Sequence, residues 1–130
     1  MFTLYKYNFI MKTQQTIQIK RAYEPSSPED GYRVYIDRLW PQGLSHETFH
    51  YDWWDKAISP TADLRQWFHA DPQSRWPEFE ERYKEELQSN PAFAQLRLAI
   101  AGKPKVTLLY SSHDQVHNNA VVVAEMLEQN

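Results

Sequence analysis

The residues with the most chemistry in them stand at the end of a strand-like run. "RVYIDRLWPQG", from Arg33 to Gly43, passes from alternating aromatic and β-branched residues into Asp37, Arg38, Trp40 and Gln42 and closes on Gly43. A second run, "KVTLLYSS" from Lys105, ends in Tyr110, Ser111 and Ser112 and leads into "HDQVHNNA", which holds His117 and Asn118. Arginine grips a carboxylate or phosphate through two parallel N–H donors. A neighbouring carboxylate can orient that arginine or accept a substrate hydroxyl, and the amides at a helix start can take a second anionic oxygen. Ligands of open α/β sheets bind beyond the carboxyl ends of the strands, so if the two runs are parallel neighbours these residues share one rim. The chemistry expected there is recognition of a compact anionic or nucleotide-like ligand. A structural alternative stays open: Asp37 and Arg38 close the strand end as a pair, Trp40 plugs the core, and Asn118 caps the helix.

Other reactive residue types form weaker patterns. "HETFH" places His46, Glu47 and His50 in the H-E-x-x-H spacing of zinc proteases, but that chemistry needs a helix to aim both imidazoles at one ion. Residues 44–60 lack helical periodicity, so these are read as solvated loop histidines, and no metal is assigned. His117 at a helix start would be held neutral by the positive helix end, free to hydrogen-bond or exchange a proton. "SSHD", Ser111 to Asp114, contains the residue types of a hydrolase triad, yet sequence neighbours rarely adopt triad geometry. Hydrolase or transferase action remains a minor alternative, with catalytic residues and cofactor unassigned.

The elements needed to position such a rim are legible. Thr16 to Tyr23 alternates with the period of a strand that has one wetter face, and "EPSSPEDG" turns the chain. "YRVYID" is a second strand, stopped by Pro41, which has no amide to donate, and by Gly43. Phe49, Tyr51, Trp53, Trp54 and Ile58 pack over the core or form an aromatic surface for another protein or a second copy of the chain. Apolar spacing predicts helices over Asp63 to His69, from Pro77 through Leu87, and from Pro91 to Ile100, the last ending at Gly102. Lys105 to Ser112 reads as a strand buried on both faces, and a final helix begins around His117 to Asn119. This order predicts a single small α/β domain, Rossmann-like, with a mainly parallel sheet of about three to four strands flanked by helices.

Composition limits the partners. At 130 residues with 42% hydrophobic and 15% aromatic content, the chain holds too much apolar surface to stay unfolded in water. A net charge of −3 without a basic stripe leaves nothing to attract a nucleic-acid backbone. With 0 cysteines, disulfides, thiol nucleophiles and cysteine zinc sites are excluded. No apolar run approaches the roughly 20 residues that span a bilayer, and a cytoplasmic protein is expected. The opening "MFTLYKYNFIM" is short, broken by Lys6 and followed by no small-residue cleavage site, so residues 1–15 are read as an extension and 16–130 as the domain.

Taken together, "DRLWPQG", "LRQWF" with the Trp76 to Leu87 block, and "LLYS" followed by "HNNA" resemble the YeaO-like branch of the bacterial domain-of-unknown-function family number 488. The resemblance runs from Ile17 to Leu127. It implies an α/β fold and selects Asp37, Arg38, Trp40, Pro41, Gly43, Tyr110, His117 and Asn118, but brings no established activity. The family's loop carries a second arginine where this chain has Gln42. A methyltransferase label found among homologues is discounted, because no glycine-rich loop for a methyl-donor cofactor is present.

Overall fold

The computed structural model describes residues 15–129. Its strands are β1 (Thr16–Arg21), β2 (Tyr32–Tyr35), β3 (Trp53–Trp54) and β4 (Lys105–Tyr110), joined in the order β1-β4-β2-β3. Every pairing is parallel. The helices are α1 (Ala62–Ala70), α2 (Pro72–Ser89), α3 (Pro91–Ile100) and α4 (Asn119–Glu128), with short 3-10 turns at Pro28–Asp30 and Lys56–Ile58. The protein is therefore a small α/β domain, as the order of its sequence patterns predicts. Strand β1 begins at Thr16, and of the expected extension only Gln15 lies within the described residues, its side chain donating to Ile100 O at 2.8 Å and Lys103 O at 2.9 Å.

Side-chain alternation divides the sheet into two unlike faces. Val34, Ile36, Val106, Leu108 and Tyr110 join the main core with Phe79, Tyr83 and Leu87 of α2, Leu96 of α3 and Val123 of α4. Tyr35 and Leu109 point the other way, into a smaller cluster with Ala22 and Phe49, against which Trp40, Leu44 and Trp54 pack. Nearer the amino ends of the strands this second face is polar. Gln18 donates to Thr107 at 2.9 Å, and Asp30 accepts from Lys20 and Arg33. Strand β4 is central and buried from Val106 to Tyr110, as its continuous apolar run requires.

Two sequence expectations need correction. Helix α2 starts at Pro72 rather than Pro77, because Asp71 and Pro72 already form a helix entrance and Ser74 donates back to Asp71. Pro77 sits inside the helix on an exposed position, where the carbonyl it leaves without a donor can meet water. The irregular segment before residue 60 contains β3, whose two residues pair with Val34 and Tyr35. A pair of residues has no readable period, so only the β2 neighbour reveals it as a strand.

Candidate functional site

Strands β2 and β4 are parallel neighbours, and Ile36 N donates to Leu109 O at 3.1 Å, so their exits lie side by side. Beyond β2 the chain carries Trp40 and Phe49 to the aromatic face. Beyond β4 it enters α4 on the helical face. Adjacent strands whose continuations leave on opposite faces open a crevice at their carboxyl ends, the usual ligand position in such sheets.

Asp37 bridges the two strand exits. Its carboxylate accepts from Ser111 N at 3.0 Å, from the Ser111 hydroxyl, and from Asn119 Nδ2 at 2.8 Å. Its backbone carbonyl accepts from Trp54 Nε1 at 2.7 Å. One half-buried residue thus ties together the ends of β2, β3 and β4 and the first residue of α4. Arg38 does not pair with it. The Arg38 side chain is exposed and belongs to no ion pair among the described residues.

Trp40 anchors the loop that follows. Its indole N–H donates to Leu44 O at 2.6 Å, its ring stacks on His46 at 3.8 Å, and Phe49, Tyr51 and Trp54 meet it edge-on. Leu44 N closes the turn on Pro41 O at 3.2 Å, and Gly43 supplies the positive φ of 88° at the turn's third residue. Gln42 is exposed, with its carbonyl accepting from Tyr23 OH at 2.7 Å. Phe49 is buried and Trp53 and Trp54 are half-buried, so these aromatics cover the sheet. Trp40→Ala should cost about 3 kcal/mol, the lower end for a tryptophan because this one is only partly buried. Urea denaturation measures it, and a loss below about 1 kcal/mol would mean that the loop closes without the ring.

The β4 side is more tightly wired. Tyr110 is buried in the main core, and burial pushes its phenol above the usual range. Ser112 Oγ accepts from Asp114 N at 3.1 Å, while Arg21, at the end of β1, donates to Ser112 O at 2.7 Å and to Ser111 O. Asp114 accepts from the amides of His117 and Val116, which hold its carboxyl below the usual carboxylate range. His117 Nδ1 lies 3.0 Å from Asp114 Oδ2 and its ring lies 5.1 Å from Trp76. With the proton on Nδ1, Nε2 is left as an acceptor. Asn118 is buried and caps α4, its Oδ1 accepting from Val121 N at 3.1 Å. Among the described residues no serine hydroxyl bonds to a histidine. His46 and His50 lie outside any helix, and the His50 carbonyl receives Arg33 Nε at 2.8 Å.

Known proteins carry the same domain. The family described as the inactive DUF488-N3 subclade matches residues 16–130. The chain belongs to this DUF488-N3 family. The uncharacterized protein YeaO of Escherichia coli (strain K12) is 40% identical over 111 residues, covering 85% of this chain and 96% of that protein. The uncharacterized protein Rv3073c of Mycobacterium tuberculosis (strain ATCC 25618 / H37Rv) is 35% identical over 117 residues, covering 90% and 98%. No solved structure matches.

In this DUF488-N3 domain the rim holds residues that sequence reasoning missed. Arg21 was findable, since it ends a strand parallel to the other two. Asn119 stands beside the recognised Asn118, and nothing in the sequence says that it reaches Asp37. Asp55 follows β3, is 5% exposed, and was hidden because β3 itself was hidden. A separate open groove of about 810 Å³ between α1 and α2 has Trp67 on its wall. That indole is already covered by the guanidinium of Arg75 at 5.0 Å and of Arg82 at 4.6 Å.

Proposed function

We propose that the protein is a cytoplasmic, non-catalytic binder of a compact anionic or nucleotide-like ligand, seated in the crevice between the exits of β2 and β4. The observation that carries this reading is the division of labour between Asp37 and Arg38. Asp37 is committed to Ser111 and Asn119, which fixes the backbone at the crevice, while the next residue presents an unpaired guanidinium to solvent. The planar guanidinium fork gives up less freedom per hydrogen bond than a flexible ammonium when it pairs with a planar or tetrahedral anion. Backing for a non-catalytic role is the family's description as inactive, together with the engagement of the Ser111 hydroxyl by Asp37 rather than by a base. His117 Nε2 supplies an acceptor for a ligand hydroxyl or amino group. The alternative of an aromatic docking surface has less support, because most of those rings pack on the sheet.

The test is a thermal-shift series with nucleotides, sugar phosphates and small carboxylates, since a ligand that prefers the native state raises its stability by mass action. Arg38→Ala should abolish the anion-dependent shift while leaving the ligand-free melting temperature nearly unchanged. Loss of a charged hydrogen bond of about 1.5 to 3 kcal/mol corresponds to roughly a ten- to hundredfold weaker affinity. Arg38→Lys should restore only part of it, because an ammonium cannot make the two-pronged contact. An equal shift in the wild type and Arg38→Ala would remove Arg38 from the site.

A further inference from the structure

We propose that Asp55 is a buried proton-binding group that sets how firmly the corner between β3 and α2 is closed, sealing it when neutral and loosening it when ionised. This goes beyond the ligand reading and is tested on the ligand-free protein.

Asp55 is 5% exposed, and its Oδ2 is the one buried side-chain oxygen or nitrogen among the described residues that has no hydrogen-bond partner. Its place is held by the backbone: Asp55 N donates to Tyr35 O at 2.8 Å, and Asp55 O accepts from Ile58 N at 3.4 Å. Among the described residues no cation pairs with it. Tyr83 of α2 donates its hydroxyl to Ile58 O at 2.6 Å and is thereby occupied. Asn90, at the start of α3, donates to Ala57 O at 2.8 Å. The charged groups that share Tyr83's surroundings with Asp55 are Asp37 from the exit of β2 and Glu86 from α2, both acidic, and Glu86 is engaged by Thr61 at the start of α1. Lys56, the neighbouring cation, is turned onto the Trp54 ring at 4.1 Å.

An ionised carboxylate in such a place has lost its water and found no counter-charge, whereas the neutral acid is tolerated there. Burial pushes the Asp55 carboxyl up to about 6, against a smaller downward pull from the Ala57 and Ile58 amides. A folded-state value above the unfolded one means that the folded protein holds the proton more tightly. The resulting stabilisation is fully present below about pH 4, falls as pH rises, and is gone above about pH 6, a span of about a hundredfold in the folding constant. The corner matters to the rim because Trp54, directly before Asp55, donates to the carbonyl of Asp37.

Asp55→Asn keeps the shape and removes the ionisation. In urea titrations, the folding constant of the variant relative to wild type should rise about tenfold between pH 5 and pH 8, since most of the remaining titration falls in that window. The ratio cancels the histidines, which both proteins share. A ratio independent of pH would overturn the proposal. Should the variant fail to fold, carbon-13 NMR titration of the Asp55 carboxyl in the wild type decides alone: a midpoint near 6 is expected, and one near 4 would refute it. Amide exchange at Ala57 and Ile58, corrected for intrinsic rate, should be less protected at pH 8 than at pH 5, and unchanged protection would refute the loosening.

Discussion

Asp30→Ala is expected to destabilise the fold by about 3 to 5 kcal/mol, because it strips the shared counter-ion from two partly or fully buried cations. Asp30 is 3% exposed, and its carboxylate accepts from Lys20 Nζ at 3.0 and 3.1 Å, from Arg33 Nη1, and from Ser27 N at 3.0 Å. Arg33 is buried too, so its guanidinium cannot turn to water when the carboxylate is lost. Asp30→Asn should recover only part of the loss, since an amide can accept a hydrogen bond but cannot neutralise charge. Urea denaturation of both variants measures the effect, and a loss below about 1 kcal/mol would show that water replaces the carboxylate.

The same residue governs behaviour in acid. Burial pushes the Asp30 carboxyl up, but Lys20, the Ser27 amide and Arg33 together outweigh it and leave it below its ordinary value. A depressed folded-state value gives stability that is present above about pH 4 and is lost as pH falls through the folded value. Asp30 and Asp55 therefore act with opposite signs. Asp30 weakens the fold on acidification below the carboxylate range, and Asp55 weakens it as pH climbs towards neutrality.

Gly31→Ala should be comparably damaging, at about 2 to 5 kcal/mol, from backbone strain together with a steric clash. Gly31 has φ 65° and ψ −132°, a conformation that residues with a Cβ rarely adopt. A Cβ built there would lie 2.4 Å from the carbonyl oxygen of Lys105 and 2.9 Å from its carbonyl carbon. Those are backbone atoms of β4, which cannot swing aside as a side chain can. The contact arises because Tyr32 of β2 pairs with Val106, bringing the preceding glycine against the start of the central strand. Thermal melting of Gly31→Ala beside Gly102→Ala gives the comparison: Gly102 also has positive φ, at 83°, but nothing lies within 4 Å of its added Cβ. Equal losses in the two variants would show that strain alone is responsible and that the close approach to β4 costs nothing.

These two residues hold the entrance of β2, as Asp37 holds its exit. A loosened entrance would let β2 slide along β4, and the Asp37 bridge to Ser111 and Asn119 depends on that register. Variants at Asp30 or Gly31 are thus expected to weaken the proposed ligand response at the rim through the fold, without touching it.

The α/β class and the burial of β4 on both faces were already present in the residue pattern. Strict alternation in "TIQIKR", a continuous apolar run in "KVTLLY" and four-residue spacing in Phe79, Tyr83 and Leu87 are local consequences of strand and helix geometry, so a linear reading detects them. The turn at Pro41 to Leu44 and the Asn118 cap are equally local, because they rest on backbone preferences of single residues. What the sequence left open was which of these residues meet. Asp37 and Arg38 are adjacent in the chain, yet Asp37 bonds to residues 74 and 82 positions away and the Arg38 side chain to none among the described residues. Strand β3 exists because β2 lies beside it, and Asp55 came to bury an oxygen, Oδ2, with no hydrogen-bond partner among the described residues because it follows that strand. A carboxylate's partner is chosen by whatever packing brings within about 3 Å, a distance that neither spacing nor composition records.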